Sequence, residues 1–258
     1  MGIQATEFLP VMQEIASGGK ESGIAGRPSA KTQPPMFVVD PMHRGDYLTI
    51  TEAIKAARPG TRILVKPGLY EEGLVIDKPL EIIGEGAPGE VVVQALGKDT
   101  LLFKTTMGRV VNLNIQQLGG GDWYGIDIVQ GRLELEDCDI TSQSLTCVAI
   151  HGGADPRLRR NRIHDSKAGG GVSVYENGQG TLEDNDIFGN AYSGVLIKMG
   201  GNPTLRRNRI NKNGYQAVWV YDGGGGTIED NDLRDNAKGA WNISVDSEPK
   251  LKRARNIE

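Results

Sequence analysis

The sequence lacks the features of three common protein classes. It has only two cysteines in 258 residues, too few for the disulfide framework of a small secreted domain. No apolar run reaches the roughly 18 residues that a membrane helix needs, and the N-terminal stretch MGIQATEFLPVMQEIASGGK has no cationic region followed by an apolar one, as a secretory signal would. The net charge of −4 argues against a nucleic-acid partner, which binds a basic surface. We therefore expect a cytoplasmic protein that binds neither nucleic acid nor a membrane.

Glycine, in contrast, is abundant, with 36 residues, and it punctuates an internal repeat. Three consecutive segments of 23 residues resemble one another, namely 171–193, 194–216 and 217–239. Segment 147–170 is one residue longer, segment 125–146 is one residue shorter, and 240–258 begins a further unit. Each unit has two short apolar runs of strand type and no helical periodicity. This pattern predicts an all-β fold, a single-stranded parallel β-helix in which each unit forms one coil.

Stacking of the coils predicts two columns of side chains. Asn161, Asn185, Asn208 and Asn231 occupy one position, where stacked amides can bond one another along the axis. The charges around these residues alternate in sign from coil to coil, as EDCD (136–139), RRNR (159–162), EDND (183–186) and RRNR (206–209). Stacking would put Asp186 between Arg162 and Arg209, and Glu183 between Arg159 and Arg206. We interpret the alternation as control of register; the alternative is a calcium or anion site. We expect no metal and no cofactor.

The sequence predicts a leader and a capping helix at the N-terminal end and an open coil at the C-terminal end. Residues 1–35 are polar and are expected to form a flexible leader, followed by the β-helix at 36–258 with its most regular coils at 125–258. Thr49 and Glu52 form a capping box, which predicts a short helix at about 49–58 that covers the N-terminal end of the core. The sequence stops inside a coil. An open parallel edge there raises the hypothesis of an oligomer formed through the uncapped C-terminal coil, or of a longer parent protein.

The stretch GDYLTITEAIKAARPGTRILVKPGLYEEGLVIDKPLEIIGEG (45–86) and the coils at 125–239 resemble a known family. They are similar to the right-handed parallel β-helix (pectin-lyase-like) repeat proteins, and in particular to the β-helix modules of bacterial multidomain proteins, some attached to kinases, and to the substrate-binding β-helix of certain F-box proteins. The resemblance implies a right-handed fold and a recognition role. An F-box and the kinase motifs are absent from the sequence.

The same fold also carries pectate lyases, polygalacturonases, pectin methylesterases and alginate epimerases, so the resemblance alone does not settle activity. The signature of the methylesterases around a GYQDTLY-like motif is absent, as are the NTD, DD, GHG and RIK set of the polygalacturonases and the DPHD motif of the epimerases. The nearest string to the last, HGGADP (151–156), lacks the second acid.

The first strand of each coil provides a candidate binding surface. Its outward columns bring together large side chains in a protein with few aromatics. Tryptophan and tyrosine are frequent hot spots of protein interfaces. We therefore predict a non-catalytic recognition scaffold that binds a protein or a polysaccharide along this face, although the face could also pack under the leader or a loop. The predicted binding residues are His151, Tyr175, Leu196, Lys198, Trp219 and Tyr221.

Two other functions remain open. A carbohydrate-active enzyme of lyase or hydrolase type would use Glu176 and Asp222, which lie two coils apart, about 9.6 Å by strand spacing, together with His151 and Lys198. Inverting glycosidases need such a separation, but His151 has no orienting partner within its motif. The other function is structural, with copies assembling end to end through the C-terminal coil.

Overall fold

The computed structural model describes residues 34–258, which form a parallel β-solenoid of three sheets. A complete coil contributes one strand to each sheet, in the order sheet 1, sheet 2, sheet 3. Sheet 1 contains β4 (Leu74–Ile76), β7 (Leu101–Phe103), β10 (Ile126–Ile128), β13 (Val148–Ile150), β16 (Val172–Val174), β19 (Val195–Ile197), β22 (Val218–Val220) and β24 (Trp241–Ile243). Sheet 2 contains β1 (Met36–Val39), β2 (Thr61–Val65), β5 (Leu80–Gly84), β8 (Met107–Val111), β11 (Arg132–Glu136), β14 (Arg157–Arg159), β17 (Thr181–Glu183), β20 (Thr204–Arg206), β23 (Gly226–Glu229) and β25 (Leu251–Ala254). Sheet 3 contains β3 (Gly68–Glu71), β6 (Val91–Ala95), β9 (Asn114–Gln117), β12 (Asp139–Ser142), β15 (Arg162–His164), β18 (Asp186–Phe188) and β21 (Arg209–Asn211).

The core is a column of aliphatic side chains that point inward from all three sheets. In one coil Val172 and Val174 of sheet 1, Leu182 of sheet 2 and Ile187 of sheet 3 are fully buried. Neighbouring coils place the same residue types at the same positions, because each strand pairs in parallel with its equivalent one repeat away. The 23-residue period therefore becomes a continuous apolar interior, and the predicted all-β parallel solenoid is confirmed.

The second apolar run of each repeat is divided into two strands. A residue in the left-handed conformation precedes the asparagine of the motif and bends the chain between sheets 2 and 3, for example Arg160 (φ 54°), Asp184 (φ 56°) and Arg207 (φ 53°). A side chain in this region costs conformational energy unless its surroundings hold it there. The asparagine that follows provides the hydrogen bonds that do so.

The predicted asparagine column is confirmed as a hydrogen-bonded amide ladder. In each step the backbone N–H and the Nδ2 of one asparagine both donate to the Oδ1 of the next, as Asn185 does to Asn208 at 3.0 and 2.9 Å. The Nδ2 also donates to a backbone carbonyl of the preceding coil, as Asn208 does to Leu182 at 2.8 Å. Cys138 is buried at the same position one coil earlier, where its N–H donates to Asn161.

The predicted charge register is also confirmed. Arg162, Asp186 and Arg209 are neighbours along sheet 3, and Arg209 forms an ion pair with Asp186 at 2.5 Å. The residue in the left-handed turn adds pairs that the sequence analysis did not anticipate. Arg207, for example, forms ion pairs with both Asp184 (2.9 Å) and Glu183 of the preceding coil. If a coil paired with the next coil but one instead of its neighbour, acidic residues would face acidic ones and arginines would face arginines.

The predicted N-terminal helix, α1 (Ile50–Ala56), is confirmed. Thr49 and Glu52 cap each other as expected, and the carboxylate of Glu72 accepts the next two N–H groups of the first turn at 2.8 Å each. Ile50, Ala53 and Ile54 are buried against the first coil. Across residues 34–258 no helix has the length and apolar composition needed to cross a bilayer.

The remaining predictions about the chain ends are untested. Most of the predicted leader, residues 1–33, lies outside the described residues, so the division into leader and solenoid stays a prediction. In the last coil Trp241, Ile243 and Leu251 pack on the core while remaining partly exposed. Assembly through that coil likewise stays a prediction.

Candidate functional site

The six predicted binding residues lie together on the outer surface of sheet 1, and we call this group the aromatic face. Ser173, Leu196 and Trp219 follow one another in register along the middle of the strands. The second column stands directly after the strands, where Tyr175, Lys198 and Tyr221 follow one another in successive coils. All six residues of the face are partly exposed. The alternation of inward and outward side chains thus holds as predicted; that these residues bind a ligand stays a prediction.

Aromatic and cationic side chains contact each other across the coils of this face. Trp219 and Tyr221 have ring centroids 5.0 Å apart, and the Nζ of Lys198 lies 5.5 Å from the ring of Tyr175 and 6.0 Å from that of Tyr221. His151 stacks on Tyr175, with centroids 4.8 Å apart and planes 11° from parallel. The rings are therefore held in place before any ligand arrives, which lowers the entropic cost of using them as contacts.

His151 has orienting partners outside its own motif, which the sequence did not predict. Its Nε2 lies 2.9 Å from Oδ1 of Asp127, in the preceding coil, and its Nδ1 lies 3.5 Å from Oε2 of Glu176. The hydrogen bond to Asp127, aided by the charge of Glu176, raises the pKa of His151 despite partial burial. The contact with Asp127 runs diagonally between the two outward columns, so stacking of equivalent positions did not predict it.

The two carboxylates of the enzymatic alternative stand two coils apart. Glu176 and Asp222 both stand in turns of left-handed conformation after sheet 1 (φ 48° and 50°), and both are exposed. Met199 occupies the equivalent position in the coil between them; its carbonyl oxygen accepts from the N–H of Asn177, and its N–H donates to the carbonyl oxygen of Asp222. Only Glu176 lies beside His151.

A cavity of about 290 Å³ opens where sheet 1 meets the turn that precedes it, and we call it the corner cavity. Its walls are aromatic and aliphatic. It is lined by Tyr124, Leu145, Thr146, Ala168, Gly169, Gly170, Ser173, Tyr175, Tyr192, Ser193, Leu196, Lys198 and Trp219. Four members of the aromatic face thus belong to its lining: Tyr175, Leu196, Lys198 and Trp219.

Two glycines let neighbouring coils approach closely at this corner. A Cβ atom added to Gly169 would lie 2.4 Å from the backbone nitrogen of Thr146, and one added to Gly170 would lie 2.5 Å from the carbonyl oxygen of Ser193. Any side chain at either position would displace the neighbouring coil. The chain therefore presents bare backbone to this part of the cavity lining.

Three serine and threonine hydroxyl groups line the corner cavity beside its tyrosines. Thr146 Oγ1 and Ser173 Oγ lie 3.0 Å apart and satisfy each other. Ser193 is only 1% exposed, and its Oγ has no hydrogen-bond partner within residues 34–258. Tyr124 contributes its ring, and its hydroxyl lies 3.3 Å from that of Tyr175; burial and this hydrogen bond raise the pKa of Tyr175. Sequence reasoning missed Tyr124 and Ser193, because they lie in turns rather than in the strand columns.

Sheet 3 carries a second depression of about 560 Å³, in which two arginine–aspartate pairs take up much of the charge. Its lining includes Arg209 with Asp186, and Arg234 with Asp232, each pair within 2.7 Å. Nearby, His164 stacks on Phe188 and bonds to Asp139 and Asp165. This surface is accounted for by the charge register, whereas the aromatic face is not.

Comparison with known proteins places the fold. The family model described as "Right handed beta helix region" matches residues 100–254. The chain is 28% identical over 127 residues to SHC SH2 domain-binding protein 1 homolog A of Xenopus laevis, a match covering 48% of this chain and 18% of that protein. It is 29% identical over 138 residues to F-box protein SKIP5 of Arabidopsis thaliana, covering 50% and 49% respectively. The matches therefore span half or less of each relative's length.

Solved structures agree with this assignment. The pectin methylesterase from Aspergillus niger superposes with a TM-score of 0.62 and 16% identity, over 89% of this chain and 87% of the enzyme. Likeness at this identity shows the fold alone. The predicted resemblance to pectin-lyase-like β-helix proteins is thereby confirmed, right-handedness included.

Proposed function

The chain belongs to the right-handed β-helix family, and we propose that it is a non-catalytic recognition scaffold that binds a partner protein along the aromatic face. The observation that carries the proposal is the contiguous set of partly exposed Trp, Tyr and Leu side chains on one sheet of a rigid solenoid. Hot spots of protein interfaces are enriched in Trp and Tyr and cluster around pockets. One relative is, moreover, named for binding a protein domain.

The state of His151 supports binding over catalysis. Both ring nitrogens face carboxylates, and the hydrogen bond to Asp127 favours the protonated ring. An imidazolium whose N–H groups both point at carboxylates has no free lone pair with which to accept a proton. In the protonated form His151 is therefore a poor general base, and its role in this proposal is to stack against the ring of Tyr175.

A carbohydrate-active enzyme remains the second candidate, and one observation favours it. His151 has the orienting carboxylate that a catalytic histidine needs, and Glu176 stands beside it. A protonated His151 could act as a general acid towards a glycosidic oxygen. Against this, the second carboxylate, Asp222, stands beyond Met199 and is not part of that cluster.

The proposal is tested by affinity capture from a lysate of the source organism. Wild type is compared with the triple variant Tyr175→Ala/Trp219→Ala/Tyr221→Ala and with a matched control on sheet 2, Thr181→Ala/Thr204→Ala/Thr227→Ala, whose residues also stack in register. A hot-spot aromatic contributes about 2 kcal/mol, so the triple variant should retain its partner at least thirtyfold more weakly, while the control retains it like wild type.

Two results would contradict the proposal. One is equal retention by the wild type and the aromatic variant. The other is release of new reducing ends or unsaturated uronates from a panel of polysaccharides, with activity that falls in Glu176→Gln; that result would establish the enzyme instead. The aromatic triple variant and the threonine triple variant should both keep the circular dichroism spectrum of wild type, since none of the substituted residues belongs to the core. The proposal includes a cytoplasmic location, which rests on the sequence alone.

A further inference from the structure

The corner cavity is large enough for one aromatic ring, and its walls are largely aromatic. Small-molecule pockets usually measure about 300–1,000 Å³, and this cavity, at about 290 Å³, lies at the lower end of that range. Trp219, Tyr175 and Tyr192 offer aromatic surface, and Leu196 adds an aliphatic wall. Aromatic pairs prefer offset or edge-to-face contacts with centroids about 4.5–7 Å apart, which such walls allow for an inserted ring.

Of the serine and threonine hydroxyls in the lining, one is unpaired. Thr146 and Ser173 are already paired with each other. The Oγ of Ser193 is buried without a partner within the described residues, so it can still donate or accept one hydrogen bond. Leaving such a group unpaired is unfavourable, and a ligand with a single hydroxyl would satisfy it.

The lining of the cavity carries a single positive charge. Lys198 is the one charged residue in the lining, and within residues 34–258 it forms no ion pair. Instead its ammonium group lies over the rings of Tyr175 and Tyr221. An anion on the ligand, next to the inserted ring, would therefore meet a cation that is not already neutralised.

We propose that the corner cavity receives the side chain of a tyrosine from an acidic segment of the partner protein. The phenol ring enters between Trp219 and Tyr192, its hydroxyl bonds to Ser193, and a flanking carboxylate pairs with Lys198. This inference rests on the proposed function and names the chemistry of the partner. A sugar ring fits less well, because its several hydroxyl groups would find no amide or carboxylate side chain in the lining.

The inference is tested with short blocked peptides and the full chain. The probes are acetyl-Asp-Tyr-Asp-amide, its Phe and Ala analogues, acetyl-Lys-Tyr-Lys-amide, and methyl glucopyranosiduronate as a sugar that also carries an anion. Binding is followed by NMR at the indole N–H of Trp219, identified with Trp219→Phe. The Asp-Tyr-Asp peptide should shift this signal and bind about fivefold more tightly than the Phe analogue, and more tightly than the Lys-flanked peptide.

Three variants assign the contacts. Ser193→Ala should abolish the preference for Tyr over Phe while leaving the Phe peptide unaffected. Lys198→Met keeps the aliphatic stem and should remove the preference for Asp over Lys flanks. Ala168→Phe, at an exposed position on the cavity wall, should block all the peptides, whereas Thr204→Ala on sheet 2 should change none.

Several outcomes would overturn the inference. They are no shift of the Trp219 signal with the Tyr peptide, undiminished binding by Ala168→Phe, or tighter binding of the glucuronide than of the Tyr peptide. The last result would leave a recognition role for the face but assign a carbohydrate ligand. Conversely, if the peptide binds as expected while wild type and the aromatic variant capture the same lysate proteins, the proposed function fails and the ring specificity of the cavity stands.

Discussion

The amide ladder predicts that a single buried asparagine carries a large share of the solenoid's stability. In Asn208→Ala four side-chain hydrogen bonds are lost, to Leu182, to Asn231 and two from Asn185. The backbone N–H of Asn185 loses its partner in a buried environment, at about 1–3 kcal/mol, and each of the other bonds contributes about 0.5–1.5 kcal/mol. Together these give a loss of about 3–7 kcal/mol.

The assay is urea unfolding followed by circular dichroism, comparing Asn208→Ala with Asn211→Ala. The control residue is of the same type and lies in the same coil, three positions on, but it is partly exposed and its side chain makes no hydrogen bond to residues 34–258. Surface substitutions of this kind change stability by about 0.5 kcal/mol or less. If the midpoint of Asn208→Ala lay as close to wild type as that of the control, at equal m-value, the ladder would not stabilise the fold as argued.

Three further predictions concern charge and thiol chemistry. Burial opposes the charged form of His164, but the hydrogen bonds to Asp139 and Asp165 outweigh it and raise its pKa. A group whose pKa is raised in the folded state stabilises the fold most below its unfolded pKa, here about 6.5. His164→Gln should therefore lose more stability at pH 6 than at pH 9, and an equal loss at both would contradict the pairing. Reversal of Arg162 and Arg209 to Glu places acids on both sides of Asp186 and should cost about 1–2 kcal/mol; unchanged thermal unfolding would refute the register argument. Burial raises the pKa of the Cys138 thiol to about 12, so a thiol reagent should modify it only in denaturant, and rapid reaction of the native protein would show that this coil opens.

Periodicity predicted several contacts between equivalent positions of successive coils. The parallel register, the column that contains Asn208 and the outward position of Trp219 all follow from a 23-residue spacing, because a solenoid converts equal spacing into direct contact. A second amide ladder follows the same spacing at Asn190, Asn213 and Asn236. It was overlooked because the equivalent residue of the preceding coil is Ser166, which hides the repeat.

What does not repeat was not predictable. The contact between His151 and Asp127 joins different positions of adjacent coils, so it depends on side-chain orientation rather than on spacing. The corner cavity depends on the course of a turn, on the two glycines of a coil that is one residue longer, and on Tyr124 from a coil of irregular length. The candidate site thus lies where the chain departs from the repeat, and the regular coils form the scaffold that holds it.

The central claim, recognition through sheet 1, is tested most directly by hydroxyl-radical footprinting of the intact protein in buffer and in concentrated lysate of the source organism. Because lysate components quench radicals at every residue, Tyr47, a partly exposed tyrosine near the N-terminal helix, serves as the internal reference. Oxidation of Tyr175, Trp219 and Tyr221 should fall more in the lysate than oxidation of Tyr47. Equal change at all four residues would contradict the claim that the aromatic face is the surface that partners bind.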